Sequence, residues 1–287
     1  MPTEAFGLNR RGILDLVLLF GFLKEKRYKM IVKILVDNTA KDGFEAVHGF
    51  SAVIEADEKI LFDVGPNSLF IENAGKMGVD LDKINTLVLS HGHWDHGDGL
   101  QFVSGKRLIT HPDSFSLRFR KESKTTVGLK MTRKEIAAQF ELKESKLPVW
   151  ISEEMVYLGE IPRLNDFESQ STTFLLEDGS LDFVADDSAL AIKSEKGLIV
   201  ISGCAHAGIC NTVAYAKEVC GEDKVYAVLG GFHLKKLDEV FQKTAGFFQE
   251  EKLEILGATH CTSFLVQDEF KKYFKTINLE AGVEVEL

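Results

Sequence analysis

Three of the chain's eight histidines fall between positions 91 and 96, in the stretch His91-Gly92-His93-Trp94-Asp95-His96. No other feature restricts the fold as much. The cluster follows Thr86–Ser90, a short apolar run that reads as a strand, and enters a loop carrying Gly92, Gly97 and Gly99. Alternate residues of an extended segment point the same way, so His91 and His93 can reach one metal ion. Asp95 and His96, where the chain turns into the loop, can face a second ion beside it. Imidazole with one carboxylate suits zinc first, and manganese or iron as well, because it joins borderline nitrogen to hard oxygen donors. The competing readings are a histidine-rich surface loop or a single structural zinc, and the strand-then-loop context argues against both.

Around this cluster the sequence alternates strand and helix patterns. Ile31–Val36 reads as a buried strand, and Ser51–Glu55 and Lys59–Val64 as a hairpin across Asp57-Glu58. Gly65-Pro66-Asn67 ends that strand, and a helix with Leu69, Phe70, Ala74 and Met77 follows. Arg107–Thr110 is a further strand, whereas Ser114–Glu144 is charged and weakly periodic and reads as an irregular excursion. Strands are then expected at Met155–Leu158, Thr172–Leu176, Leu181–Val184, Ala189–Lys193 and Leu198–Ser202, punctuated by Asp178-Gly179 and Lys196-Gly197. In the last third, strands Val225–Leu229 and Leu253–Leu256 flank a helix presenting Leu237, Val240, Phe241, Phe247 and Phe248, and a shorter helix covers Val213, Ala216 and Cys220. Two sheet-rich halves with helices outside imply an α/β protein in which sheet packs on sheet.

Length and composition narrow the setting. With 287 residues and 45% hydrophobic side chains, the chain can bury one large core, expected as a single domain over residues 30–287 behind an extension at 1–29 that can form a helix. The apolar run in Gly12–Leu23 is broken by Asp15 and too short to span a bilayer, and it lacks a small-residue cleavage site. No membrane partner is expected, although the extension could pack against a second copy. A net charge of −10 gives no general attraction to nucleic acid. Cys204, Cys210, Cys220 and Cys261 have no disulfide-framework spacing, which fits a reducing cytoplasm.

His-x-His-x-Asp-His after a strand, preceded by Ile60-Leu61-Phe62-Asp63-Val64-Gly65, resembles the metallo-β-lactamase superfamily signature. The resemblance runs from Ile31 to the C-terminus. It implies an αββα four-layer sandwich, two mixed sheets flanked by helices, with a dinuclear metal site at one edge. It also implies that Asp63 supports the metal loop without being a ligand. Further histidine ligands come by the same resemblance from His206, after the strand Leu198–Ser202, and His260, after Leu253–Leu256. Many relatives carry a bridging aspartate after the glycine at the end of the former strand, where this chain has Cys204. A thiolate there can ligate, but a buried inert cysteine is the favoured reading, and Asp186-Asp187 either offers a carboxylate, Asp187 above all, in its place or simply ends the preceding strand. Near other strand ends, His233 after Gly230-Gly231 is expected to contact substrate or donate a proton, His48 is a candidate for either function or packing, and His111 before Pro112 reads as structural.

Two divalent ions would activate water and polarise a carbonyl or phosphoryl oxygen, so hydrolysis of a small phosphorylated or ester substrate is expected, with Asp95 orienting or deprotonating the water. The stretches His91–Leu100, Asp186–Leu190, Ser202–His206 and Gly230–Leu234 resemble the branch named for dihydropterin-ribofuranosylaminobenzene-phosphate synthase, whose name implies displacement of diphosphate by an aryl amine. Group transfer is therefore the alternative. A di-iron redox enzyme would need a flavin domain for which the chain has no room, and β-lactam hydrolysis does not suit the expected compartment. A non-catalytic metal-bound ligand sensor is the third reading, opposed by the intact set of metal residues.

Overall fold

The computed structural model describes residues 29–287. The expected extension over 1–29 therefore lies, but for Lys29, outside the described residues. One sheet takes β1 (Ile31–Val36), β2 (Ser51–Glu55), β3 (Lys59–Phe62), β4 (Thr86–Val88), β5 (Arg107–Thr110), β7 (Glu141–Glu144) and β16 (Glu284–Glu286), in the order β16-β1-β2-β3-β4-β5-β7. A second takes β8 (Val149–Trp150), β9 (Met155–Tyr157), β12 (Ala189–Ser194), β13 (Gly197–Ser202), β14 (Val225–Gly231) and β15 (Ile255–Thr259), in the order β15-β14-β13-β12-β9-β8. A small third sheet, β11-β10-β6, joins β6 (Arg118–Arg120), β10 (Phe174–Leu176) and β11 (Leu181–Asp182). The helices are α1 (Leu69–Lys76), a single turn α2 (Trp94–Gly97), α3 (Arg133–Gln139), α4 (Ile209–Cys220), α5 (Glu239–Glu250) and α6 (Phe264–Phe270).

Period-two alternation decides the layers. Ile60 and Phe62 face the second sheet and pack with Leu190, Ile199, Ile201 and Leu229 in the central core. Leu61 between them points outward, into a core with Phe70 and Ala74 of α1 and Ile136 of α3. On the far side Val200 and Val228 pack against Val213 and Ala216 of α4, and Phe241 and Phe248 of α5. The chain is thus an αββα sandwich. Its C-terminal strand β16 also closes the first sheet against β1, with Val32 opposite Val285.

Several expectations need correction. The excursion Ser114–Glu144 is ordered: Thr132 and Glu135 form a reciprocal capping box for α3, and β7 extends the first sheet parallel to β5. The strands expected at Thr172–Leu176 and Leu181–Val184 are shorter and belong to the small sheet, because Val184 turns out with a φ of 55° and its N–H is taken by the Asp182 carboxylate at 2.8 Å. Leu237 precedes α5, whose start is set by the Asp238 side chain accepting from Phe241 N–H at 3.2 Å. The helix expected to be shorter, α4, has 12 residues, as many as α5.

Candidate metal centre

Parallel pairings β3-β4-β5 and β13-β14-β15 send the carboxyl ends of these strands to one edge of the sandwich. Ligand sites of open α/β sheets form at such ends, where loops leave the sheet and backbone groups stop pairing with one another. Asp63 follows β3, His91 follows β4, Cys204 and His206 follow β13, His233 follows β14 and His260 follows β15. Asp95 and His96 stand on α2, which His93 opens in an extended conformation. The cluster is therefore part extended segment and part helical turn, which turns His93 and His96 in different directions.

The potential ligand atoms converge in overlapping groups, within 4.8 Å of one another in each: His91, His93 and His206; Asp95, His96 and His260; His91, His96 and Cys204; Cys204, His260 and Cys261. The first two sets are side by side, and Cys204 lies between them, its Sγ 3.2 Å from His96 Nε2. Asp187 is in none of the groups. Its carboxylate accepts from Ala207 N–H at 2.9 Å and so holds the loop that carries His206. Asp186 accepts from Gly92 N–H at 2.7 Å, between the two first histidines, and pairs with the buried Arg118 at 2.8 Å.

Hydrogen bonds orient these rings from behind. Asp63 accepts from Ser90 N–H and Ser90 Oγ, and faces His96 Nδ1, all at 2.7 Å. His96 Nε2 is thereby aimed at the centre, 3.0 Å from His260 Nε2. Asn38 Oδ1 faces His260 Nδ1 at 3.1 Å while its amide donates to the His260 carbonyl at 2.8 Å. Close approach needs glycine at two points. A Cβ on Gly92 would sit 1.8 Å from the Ser114 carbonyl, and one on Gly203 2.2 Å from Ser90 Oγ.

The electrostatics suit cations. Burial and neighbouring positive charge hold His91 and His206 well below the ordinary histidine value, and burial with the charge of Arg118 takes His93 down to about 3. All three are neutral imidazoles at neutral pH, the form that ligates. Burial alone would lower His96 too, but the Asp63 carboxylate outweighs it and raises the ring to about 9. Burial raises Asp95, yet the bond from His48 and the charges of His96 and His260 hold it well below the usual carboxylate range. In the protein without metal, burial pushes the Cys204 thiol up.

The donor set also passes a direct test of fit. His93 Nε2 and His206 Nε2 are buried with no hydrogen-bond partner among the described residues. Unpartnered buried nitrogens are rare and costly, and these two belong to one ligand group. Divalent ions held by imidazole, carboxylate and thiolate would satisfy them.

At the mouth, His48 is half-exposed and places Nε2 3.1 Å from Asp95 Oδ2. His233, with a φ of 52°, lays its ring against His206 at a centroid distance of 4.5 Å. His111 is buried, accepts from Asp113 N–H at 3.0 Å and stands away from the ligand groups. A cavity of about 280 Å³ opens beside His206 and His233, walled by Phe167, Phe174, Phe183 and Phe232. Sequence reasoning passed over Asn38 and Arg118, which carry no motif and are recruited from elements distant in the chain. No helix among the described residues is long and apolar enough to cross a membrane.

Comparison with known proteins agrees with this architecture. Residues 45–111 match the family described as the metallo-β-lactamase superfamily. An uncharacterized protein of Methanocaldococcus jannaschii is 35% identical over 245 residues, spanning 82% of this chain and 91% of the relative. From the same organism, 7,8-dihydropterin-6-methyl-4-(β-D-ribofuranosyl)-aminobenzene-5′-phosphate synthase is 33% identical over 257 residues, 81% of this chain and 86% of that protein. The crystal structure of a metal-dependent hydrolase of the β-lactamase superfamily superposes with a TM-score of 0.81 at 30% identity, covering 90% of this chain and 99% of that one.

Proposed function

Because the chain belongs to the metallo-β-lactamase superfamily, we propose that it is a cytoplasmic dinuclear metal-dependent hydrolase of a small phosphorylated or ester substrate. The observation that carries this reading is the pair of ligand sets His91/His93/His206 and Asp95/His96/His260, set side by side, with a cavity of small-molecule size opening at His206. Zinc is the expected ion, since imidazole nitrogens dominate the donor set.

Bound divalent ions supply Lewis acidity and bring water toward ionisation near neutral pH. The protein's own groups do the rest. Asp95 stays ionised, which suits it to orient the nucleophile more than to keep a proton. His48, half-exposed at the mouth with Nε2 3.1 Å from Asp95 Oδ2, is placed to hold that carboxylate in position by donating to it. His233, beside His206 at the cavity wall, is placed to hydrogen-bond the leaving group. The four phenyl rings lower the polarity around His206 and His233 and so strengthen the contact of His233 with a bound substrate. The four cysteines, buried and unpaired, support a reducing compartment.

A second reading has the same centre serve diphosphate displacement by an amine nucleophile, and the 33% identity to a synthase favours it. Metal analysis of protein purified without chelator, with turnover of phosphodiester, phosphomonoester, thioester and lactone substrates by wild type and His93→Ala, tests both. Two equivalents of metal with hydrolysis lost in the variant support the hydrolase. Metal bound without hydrolysis, but with diphosphate released only when an aryl amine is added to a diphosphate ester, moves the reading to transfer. Protein that binds no metal ends both readings.

A further inference from the structure

Asp186 and Asp187 belong to no ligand group, yet both are buried, at 0% and 1% exposure. Two adjacent carboxylates in the interior are costly unless partners hold them. Arg118 answers the charge of Asp186 at 2.8 Å. Asp187 has no such cation: one oxygen accepts from Ala207 N–H at 2.9 Å, and Oδ1 has no hydrogen-bond partner among the described residues.

What the two carboxylates hold is the main chain on either side of one ligand set. Asp186 Oδ2 accepts from Gly92 N–H at 2.7 Å, and Gly92 stands between His91 and His93. Asp187 accepts from Ala207 N–H, next to His206. Successive residues thus fix the two segments that supply His91, His93 and His206, which form one group. The dipeptide is itself secured. Asp187 N–H donates to the Val184 carbonyl and Ser188 N–H to the Ser90 carbonyl, both at 3.0 Å. Arg118, from the small sheet, also reaches Asp182 at 3.3 Å.

The other set is supported from elsewhere. Asp63 faces His96 Nδ1 at 2.7 Å, Asn38 faces His260 Nδ1 at 3.1 Å, and His48 lies 3.1 Å from Asp95 Oδ2. The two supports meet at Ser90, whose Oγ donates to Asp63 and lies 2.9 Å from His91 Nδ1.

From this juxtaposition we propose that Asp186 and Asp187 are a positioning pair that sets the spacing of His91 and His93 from His206, so that one of the two metal positions depends on the pair and the other does not. The proposal rests on the dinuclear reading of the centre. His206 Nε2 has no hydrogen-bond partner among the described residues, so its distance from His91 and His93 falls to the main chain behind the rings. Metal affinity drops when contacts of this kind are removed. Asp187 acts by offering an acceptor to Ala207 N–H, a role asparagine can fill.

The test is stepwise removal of zinc from the fully loaded protein by a chromophoric chelator, with His206→Ala and His260→Ala as references for damage to one set or the other. Asp187→Ala should weaken one of the two ions about 10–100-fold and leave the second within about twofold, in a profile that matches His206→Ala. Asp187→Asn should release zinc as wild type does. Asp186→Asn, whose single oxygen serves Gly92 or Arg118 but not both, should weaken the same ion as Asp187→Ala. Circular dichroism checks each fold, and Asp187→Leu, which fills the space without an acceptor, replaces the alanine variant if that one does not fold. Equal weakening of both ions, a profile like that of His260→Ala, or no change in Asp187→Ala would each overturn the assignment. So would Asp187→Asn as weak as alanine, because charge and not the acceptor would then matter. Wild type that binds fewer than two zinc ions fails the dinuclear reading, and this proposal with it, whatever the variants do.

Discussion

Asp63→Asn separates support of the centre from ligation more cleanly than any other change. Asp63 is fully buried, with a φ of 55°, and asparagine tolerates that left-handed conformation, so the backbone need not move. The amide keeps one oxygen to accept from Ser90 N–H, which approaches Oδ1 at 2.7 Å. Its nitrogen replaces Oδ2, the atom that serves both Ser90 Oγ and His96 Nδ1 at 2.7 Å. Two charge-assisted contacts to a buried carboxylate are lost, each worth about 1.5–3 kcal/mol. His96 Nδ1 then accepts a hydrogen bond from the new amide and the ring carries its own proton on Nε2, the atom that faces His260 Nε2 at 3.0 Å and Cys204 Sγ at 3.2 Å. Metal must displace that proton against the preferred tautomer. Affinity for zinc should therefore fall about 10–100-fold, the usual penalty for removing such an outer partner, or about 1.4–2.8 kcal/mol. Competition against a chromophoric chelator measures it, and circular dichroism of the metal-free variant verifies the fold. A folded variant with zinc affinity within about twofold of wild type would refute the claim that Asp63 sets the orientation of His96.

Three further outcomes follow from the same geometry. His96 is raised to about 9 in the metal-free protein, so its contribution to stability is full below the ordinary value of 6.5 and is lost as pH rises through about 9. Zinc binding near neutral pH should accordingly release at least one proton, read from titration heats in buffers of different ionisation enthalpy, and absence of release would show His96 already neutral. Arg118→Ala leaves the buried Asp186 and Asp182 without their cation and should cost about 3–5 kcal/mol in denaturant unfolding; a loss under about 1 kcal/mol would mean the carboxylates find other partners. Gly203→Ala forces a methyl to within 2.2 Å of Ser90 Oγ and should destabilise by about 1–3 kcal/mol while weakening metal binding; a neutral effect on both would show that the loop yields freely.

How much could be read in advance differs between elements for physical reasons. Strands such as Ile31–Val36 and Ser51–Glu55 were legible because their apolar runs are nearly continuous and their ends carry polar turns. Helix α3 was not read, although Thr132-x-x-Glu135 carries its capping signal, because the charge around it hides the periodicity. Of the small sheet, β10 and β11 were expected as strands, but β6 and its pairing with β10 were not, since the two meet across some fifty residues of chain by main-chain bonds that leave no pattern in side chains.

At the centre the division is sharper. Residue type and spacing alone mark His91, His93, Asp95 and His96, because metal-binding atoms concentrated after a strand are a local property of the chain. That the chain belongs with the metallo-β-lactamase sandwiches is equally a property of its local motifs. Which distant side chains join the cluster is not local. His206 and His260 come to it because β13 and β15 run parallel with β14 between them and end at one edge, and Cys204 falls between the two ligand sets because Gly203 lets β13 approach Ser90. Asn38 and Arg118 gain their places only through tertiary packing, which brings together groups whose separation along the sequence carries no trace of their separation in space.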